Sequence, residues 1–233
     1  MNLKNIFRYL KSVISVKLNL YFLYARASYS QEGEDLIIQK IVNFKKKGFY
    51  VDIGAHHPFR YSNTFLLYKN GWRGINIDAD IKAIKLFKKA RPKDINVAKV
   101  ISNKNTILNL YVFNDTALNT LSRKQAGIVV KSKQSELVKI LKVKSYTLEQ
   151  ILTRYLPKNA SIDFLNLDVE GLDYEVLRSN NWNLFKPKVI CIEILLNPLK
   201  NNLNGNRITK FLLKKGYVIR SHTINSFIFD LVR

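Results

Sequence analysis

The chain is short of cysteine, of acidic residues and of long apolar runs, and each shortage excludes a class of protein. The single cysteine, Cys191, cannot form an internal disulfide, which excludes a disulfide-stapled secreted scaffold. It lies in an apolar run, where we expect a small buried side chain. No apolar run reaches the roughly 18 residues that a membrane-spanning helix needs. Apolar residues still make up 47% of the 233, which supports a sizeable core and excludes wholesale disorder.

Acidic residues number 17 against 39 Lys and Arg, which gives a net charge of +22. An excess of this size indicates a polyanionic neighbour, such as nucleic acid, anionic lipid or an acidic glycan. Codon drift in an AT-rich genome would produce the same excess, since the chain is also rich in Lys, Asn and Ile. The basic residues are spread along the whole chain and form no stripe with aromatic residues, which argues against a nucleic-acid footprint.

The first 28 residues differ from the rest. Apolar residues recur there at roughly helical spacing from Leu3 to Phe22, and no acidic residue precedes Glu32. The basic residues that interrupt the pattern are Lys4, Arg8, Lys11 and Lys17. We predict a basic amphipathic helix in an extension, residues 1–28, ahead of one domain, residues 29–233. Its apolar face would pack on the domain, lie on an anionic membrane surface or bind a partner protein. A secretory signal would need an uninterrupted apolar stretch and a small-residue cleavage site, and neither is clear.

Beyond Gly48 the chain alternates β-rich runs with helical segments. The predicted strands are 49–53, 74–78, 95–101, 107–113, 162–167, 189–195, 217–221 and 227–231. The predicted helices include residues 65–67, 81–87, 171–180 and 207–215, and a further one opens with the capping-box spacing of 147–150. Residues 122–144 are polar, Lys-rich and of undecided structure. The alternation predicts an α/β fold with a mostly parallel sheet, closed by a hairpin that adds an antiparallel edge strand.

Each apolar strand of the predicted sheet carries an acid at or near its end, although acids are scarce. These acids are Asp52, Asp78, Asp168 with Glu170, and Glu193. The ends of parallel strands share one edge, so we expect the acids to meet in one crevice. Asp78, at the end of the second strand, suits the two hydroxyls of an adenosine ribose. The alternatives are acids that only cap strand ends and helices, or a nicotinamide dinucleotide.

The loop after the first strand reads D-I-G-A-H-H-P and lacks the G-x-G-x-x-G pattern of a pyrophosphate grip. An adenosine ligand without a pyrophosphate, such as S-adenosylmethionine, therefore fits better. Its ammonium end would favour a carboxylate such as Asp52, and Gly54 would let the backbone approach the ligand closely.

Five segments together resemble the FkbM family of S-adenosylmethionine-dependent methyltransferases, over about Tyr29 to Asp230. They read S-Q-E-G-E-D (30–35), F-Y-V-D-I-G-A-H-H-P (49–58), G-I-N-I-D-A (74–79), A-L-N-T (117–120) and I-D-F-L-N-L-D-V-E-G (162–171). The resemblance implies a Rossmann-like class I methyltransferase fold, a seven-stranded sheet with an antiparallel last strand. It also implies O-methyl transfer, often to a sugar or to a sugar-containing metabolite or envelope polymer.

Asp78 stands where the family usually has Glu, and His57-Pro58 replaces a position that is small or Gly in many members. The cofactor-binding candidates are Asp52, Gly54, Ala55, Asn63, Asp78, Ser102 and Asp168. The candidates for the general base that removes the acceptor proton are His56, His57, Asp168 and Glu170. The tandem histidines would equally suit a tight turn that bonds to the backbone. Asp168 and Glu170 could also hold a divalent cation with Glu193, although the spacing does not demand a metal.

Two other functions remain open. A nucleic-acid methyltransferase would explain the positive charge, but it usually carries Asn or Asp before two prolines and an aromatic where this chain has D-V-E-G. A binding or scaffold protein would keep the fold without catalysis. With no clear signal peptide and a cofactor made inside cells, we expect the enzyme in the cytoplasm, or on the inner membrane face if the extension binds lipid.

Overall fold

The computed structural model describes residues 2–43, 45–194 and 205–232. The strands are β1 Phe49–Ile53, β2 Arg73–Asp78, β3 Ile95–Ala98, β4 Val100–Ile101, β5 Ile107–Phe113, β6 Leu137–Tyr146, β7 Phe164–Leu167, β8 Val189–Glu193, β9 Tyr217–His222 and β10 Ser226–Leu231. The helices are α1 Leu3–Lys17, α2 Glu34–Ile41, α3 Phe65–Lys69, α4 Ile81–Ala90, α5 Arg123–Lys131, α6 Leu148–Tyr155, α7 Asp173–Arg178 and α8 Arg207–Lys214. Two short 3-10 helices, η1 Tyr21–Tyr24 and η2 Thr116–Leu118, complete the set.

Seven strands form one sheet in the order β3-β2-β1-β7-β8-β10-β9. Neighbours from β3 to β8 pair in parallel, and β10 is antiparallel to both β8 and β9. This arrangement confirms the predicted Rossmann-like α/β fold. The position of the antiparallel strand corrects the prediction, because β10 lies inside the sheet and β9 forms the edge. The reason is burial: Phe227, Ile228 and Phe229 of β10 are all buried, whereas most of β9 is exposed.

A second sheet of three strands, β4-β6-β5, extends the domain. The strand predicted over 95–101 is divided between the two sheets, because β3 pairs with β2 and β4 pairs with β6. The undecided stretch 122–144 forms α5 and most of β6. The predicted strand 189–195 ends at Glu193, and Leu195 lies outside the described residues.

The capping box predicted at the start of α6 is present. The Thr147 side chain accepts from the Gln150 amide, and the Gln150 side chain accepts from the Thr147 amide, each at 3.2 Å. Such reciprocal bonds satisfy two of the amide donors that the first helical turn leaves unpaired. The sequence therefore fixes where α6 begins.

The core lies on both faces of the large sheet, because successive strand residues point to opposite sides. One face presents Val51, Ile53, Leu165 and Ile190 to a cluster that α6, α7 and α8 complete. The other face presents the second cluster, which includes Tyr50, Phe164, Cys191, Ile228, Ile38, Leu67 and Trp72. Cys191 is buried, as predicted, and its Sγ lies 3.9 Å from Asn63 Nδ2.

Helix α1 belongs to neither cluster. Every one of its residues except Ser15 is exposed, so its apolar side chains do not pack on the domain. In the part of the chain that the structure describes, none of the helices has both the length and the apolar character needed to cross a bilayer.

Candidate active site

A cavity opens at the carboxyl ends of β1, β2, β7 and β8, and with its open mouth it encloses about 1270 Å³. Its walls come from the residues that follow these strands, including Gly54, Ala55 and His56 after β1 and Asp168 after β7. Loops at this edge of a parallel sheet are where α/β proteins bind ligands. The acids expected to converge on one crevice do line this one cavity.

The charge of the cavity is opposite to that of the chain. Its acidic lining residues are Glu32, Glu34, Asp52, Asp78, Asp168, Glu170 and Glu193. Among the described residues that line it, Lys99 is the single Lys or Arg. The cavity therefore favours a cationic ligand and disfavours a polyphosphate.

Gly54 directly follows β1 and lies in the left-handed region, with φ of +78°. A Cβ at this position would lie 1.6 Å from the carbonyl oxygen of Asp168, so the contact excludes any side chain. Next to it, the Asp168 amide donates to the Ile53 carbonyl at 3.0 Å. The protein's own backbone therefore already requires glycine here, and because Gly54 also lines the cavity, its contact with a ligand stays a prediction.

Asp78 lies at the end of β2 and faces the cavity. Its Oδ2 accepts from the His56 amide at 2.8 Å, and its Oδ1 accepts from the Asp80 amide at 2.7 Å. Burial raises the pKa of this carboxyl to about 6 despite those two bonds. Each oxygen keeps a further lone pair, so the carboxylate can accept from two ligand hydroxyls.

Asp52 is buried deeper and joins two parts of the site. Its Oδ1 accepts from Asn166 Nδ2 at 2.9 Å, and its Oδ2 accepts from the Thr64 hydroxyl. Asn63 Nδ2 in turn donates to Asn166 Oδ1 at 2.9 Å. Burial raises the pKa of Asp52 above its ordinary value. This network connects the loop after β1 to the middle of β7.

Arg91 was not anticipated from the sequence, although it holds the same loop. It is fully buried, and its guanidinium donates to the Pro58 carbonyl, the Ser62 hydroxyl and the Thr64 hydroxyl. The rings of Phe65, Tyr68 and Phe87 surround the guanidinium at 5.0–5.7 Å. Nothing in the sequence distinguishes this residue from the Lys residues that precede it at the end of α4.

The two candidate histidines differ in position. His56 lines the cavity with φ of +51°, and burial together with Arg60 lowers the pKa of its imidazole. His57 does not line it: its Nδ1 accepts from the Phe59 and Arg60 amides at 3.1 and 3.0 Å. His57 thus takes the turn-forming role that the sequence left open. Ser102 is also outside the cavity lining, and its amide donates to the Tyr146 carbonyl at 2.9 Å.

Asp168, Glu170 and Glu193 form a carboxylate cluster, with one oxygen of each within 4.8 Å of the others. Asp168 Oδ1 is buried and has no hydrogen-bond partner among the described residues. Burial, with repulsion from Glu193 and Glu170, raises the pKa of Asp168 well above its ordinary value. Burial with repulsion from Glu193 and Asp173 raises the pKa of Glu170 to about 8. Burial with repulsion from Asp173 and Glu32 raises the pKa of Glu193 to about 7. Oxygen ligands at this spacing could hold a divalent cation or take up a proton.

The family model of the methyltransferase FkbM domain matches residues 52–219, which is more than half of the chain. The chain belongs to the FkbM methyltransferase family. This confirms the resemblance to the family, and the S-Q-E-G-E-D segment at 30–35 lies ahead of the matched range. No curated protein matches the chain. The matched range begins at Asp52 and ends inside β9, so it contains the whole carboxylate cluster.

The FkbM domain holds the D-V-E-G turn in place from two directions. Asp173 accepts from the Val169 and Gly171 amides at 3.1 and 3.2 Å. The Thr120 hydroxyl donates to the Glu170 carbonyl at 2.6 Å, which places the A-L-N-T segment against the turn. Glu170 has φ of +52°, an unusual conformation for a side chain of this size. These contacts orient the carboxylate cluster.

The S-Q-E-G-E-D segment ties the FkbM domain's cavity to its last hairpin. The Glu32 carboxylate accepts from the amide and from the side chain of Asn225, at 3.1 and 3.0 Å. Glu34 accepts from the Glu32 amide at 2.8 Å and from the Thr223 hydroxyl at 3.1 Å. Sequence reasoning assigned these two glutamates no role, and the segment's place in the resemblance was the available signal.

Proposed function

We propose that this FkbM protein transfers a methyl group from S-adenosylmethionine to a hydroxyl of a sugar or glycan-containing acceptor. The observation that carries the proposal is the acidic cavity at the ligand-binding edge of the sheet in a strongly basic chain. S-adenosylmethionine carries a sulfonium and an ammonium, and the cavity offers carboxylates to both. When bound, it supplies the electrophilic methyl group.

The residues present fit this cofactor. Asp78 would accept hydrogen bonds from the ribose hydroxyls, since both of its oxygens have a free lone pair. Gly54 and Ala55 would form the wall beside it, and the network of Asp52 and Asn63 would hold the loop in position. No glycine-rich phosphate loop is present in the sequence, and the acidic lining would repel a pyrophosphate.

The acceptor hydroxyl must lose its proton, and the carboxylate cluster is placed to take it. An ionised oxygen of Asp168 or Glu170 would accept the hydroxyl proton, while a protonated neighbour would reduce the repulsion within the cluster. His56 is the alternative base, because it lines the cavity and its lowered pKa keeps the imidazole neutral at pH 7. The position of His57 makes it the weakest of the four candidates.

A nucleic-acid substrate is disfavoured by the same observation. The cavity lining would repel backbone phosphates, and the turn after β7 has no proline. We place the protein in the cytoplasm, where its cofactor is made.

The test is calorimetric titration with S-adenosylhomocysteine, using the intact protein, Asp78→Asn and the control Asp80→Asn. Asp80 lies two residues away, caps α4 through the Lys82 amide and does not line the cavity. We expect micromolar binding that Asp78→Asn weakens by about tenfold or more and that Asp80→Asn leaves nearly unchanged. No binding by the intact, folded protein would contradict the proposal and favour a scaffold.

The acceptor class needs a separate measurement. Transfer of a radiolabelled methyl group would be followed with free sugars, nucleotide sugars and polysaccharide as acceptors, and with DNA and RNA as negative controls. We expect label in an alkali-stable ether on the carbohydrate. Label in nucleic acid alone would overturn the choice of acceptor while leaving methyl transfer intact.

A further inference from the structure

Helix α1 has one apolar and one basic face. At about 100° per residue, the apolar side chains that share a face are Leu3, Ile6, Phe7, Leu10, Val13 and Ile14. The opposite face carries Lys4, Asn5, Arg8, Lys11, Ser12 and Ser15. Lys17, in the last turn, is the single charge on the apolar side, and a long side chain at a helix end can extend its ammonium outward.

The apolar face has no cover within the described part of the chain. Leu3 is 84% exposed and Phe7 is 73% exposed, and the other apolar residues of that face are exposed as well. The one buried residue, Ser15, lies on the polar side. Its hydroxyl bonds to the Tyr24 hydroxyl at 2.7 Å, and its carbonyl accepts from the Leu20 amide. The chain therefore folds back against the polar side and leaves the apolar face open.

The short helix η1 also exposes apolar side chains. Tyr21 and Phe22 are 75% and 59% exposed, and Leu23 and Tyr24 are exposed too. Aromatic rings with an apolar body and a polar tip favour the boundary between lipid chains and water. Together α1 and η1 form a segment, which we call the α1–η1 segment, with more exposed apolar side chains than a solvated helix needs.

The charge of the α1–η1 segment selects among the possible occupants. The basic residues before Glu32 are Lys4, Arg8, Lys11, Lys17 and Arg26, and no acidic residue occurs there. An anionic lipid surface complements both the basic and the apolar face at once, whereas a hydrophobic protein groove complements only one. With 15 residues at about 1.5 Å each, α1 is shorter than the roughly 30 Å of a bilayer core, so it would lie in the surface.

We propose that the α1–η1 segment docks this protein on an anionic bilayer, with α1 parallel to the surface and its apolar face inserted below the headgroups. Lys4, Arg8 and Lys11 contact the anionic headgroups. The proposal is independent of the methyl-transfer proposal, because it uses none of the residues that line the cavity.

The experiment is flotation of the full chain with vesicles of phosphatidylcholine alone and of phosphatidylcholine mixed with phosphatidylglycerol, at physiological salt. The deciding variant is Leu10→Gln with Ile14→Gln, and the matched control is Ser12→Gln on the polar face. We expect the intact chain and the control to float with the anionic vesicles. The double variant should partition about tenfold more weakly, because two apolar side chains no longer enter the lipid.

The rest of the chain is also basic, so attraction by charge alone must be separated from docking by the segment. Equal flotation of the double variant and the intact chain would overturn the proposal, as would unchanged flotation of a chain that starts at Ala27. The proposal would also be overturned if neither the intact chain nor any variant floated with the anionic vesicles. Thermal unfolding and S-adenosylhomocysteine binding of the variants would show that the domain is intact, so failure here is distinct from failure of the proposed methyl transfer.

Discussion

The cavity and the α1–η1 segment differ in charge, burial and packing, although the composition of the chain averages them together. The cavity collects seven of the 17 acidic residues, and hydrogen bonds hold the carboxylates of Glu32, Glu34, Asp52 and Asp78. The segment has four basic residues, no acidic one and almost no buried side chain. A net charge of +22 is therefore a poor guide to the ligand, because the site has the opposite sign from the surface.

The comparison predicts that substitutions around the cavity lower the unfolding free energy far more than substitutions in the α1–η1 segment. The largest effect should come from Gly54→Ala, because a Cβ there meets the Asp168 carbonyl at 1.6 Å and φ is +78°. We expect a loss of about 3 kcal/mol or more in unfolding free energy, measured by urea denaturation. Gly127→Ala is the control: no atom lies within 4 Å of its Cβ position inside α5, so it should stabilise by about 0.5 kcal/mol. Equal effects would refute the backbone contact.

Replacing Arg91 tests whether the loop after β1 depends on its buried guanidinium. Arg91→Met should lower the unfolding free energy by about 3 kcal/mol, because Pro58, Ser62 and Thr64 lose a donor. Lys89→Met, at an exposed position in the last turn of α4, should change it by less than about 0.5 kcal/mol. The measurement is again urea denaturation, and similar losses in both variants would contradict the assigned role.

Removing a negative charge from the carboxylate cluster tests whether the cluster takes part in the reaction. Glu170→Gln should lower kcat by about 100-fold once an acceptor is found, because a proton acceptor is removed from the cavity. Glu175→Gln, on α7 and paired with Arg207 at the surface, is the control and should keep its turnover. If Glu170→Gln kept normal turnover, Asp168 and then His56 would remain as the candidates for the base.

The affinity for S-adenosylhomocysteine should depend on pH through Asp78. Its pKa is about 6, and the ionised form is the stronger acceptor for hydroxyl donors, so the contribution of Asp78 should be complete well above that value and should fall, by up to about tenfold per pH unit, below it. Calorimetric titrations at a series of pH values from about 5 to about 8 would measure this change in affinity. Asp78→Asn should bind weakly at every pH, and an unchanged pH dependence in that variant would assign the effect to another group.

The smallest effect on the unfolding free energy should come from substitutions in the α1–η1 segment. Leu10→Gln with Ile14→Gln should change the unfolding free energy of the domain by less than about 0.5 kcal/mol, because both residues are half exposed in a helix outside the core. Thermal unfolding of the variant beside the intact chain would check this. A large loss of stability would mean that α1 packs on the domain in solution.

The strands that carry the site were predictable because both of their faces are buried. β1 and β7 are mostly apolar, with one polar residue each, and their positions in the sheet determined where Asp52 and Asp168 would meet. β6 was not predictable, because Lys139, Lys142 and Lys144 alternate with apolar residues on a strand that is mostly exposed. Helix α5 was not predicted for a similar reason, because its largely polar sequence resembles that of a loop.

The acids of the site could be found from the sequence, but the residues that hold the site in position could not. An acid at a strand end has a fixed place in a parallel sheet, so Asp78, Asp168 and Glu170 were placed together in advance. Arg91 contacts residues about thirty positions away, a contact that depends on packing and leaves no local pattern. The loop after β1 is the intermediate case, where the sequence offered two histidines and only the fold separated their positions.

Cys191 gives the chain a built-in reporter of motion. It is the single thiol in the sequence, buried in β8 beneath Asn63, and burial raises its pKa well above the ordinary value. A thiol reagent can modify it only when the centre of the sheet opens, so the modification rate measures the frequency of that opening. A ligand that closes the cavity above Asn63 should slow the reaction, which would reveal binding without any knowledge of the acceptor.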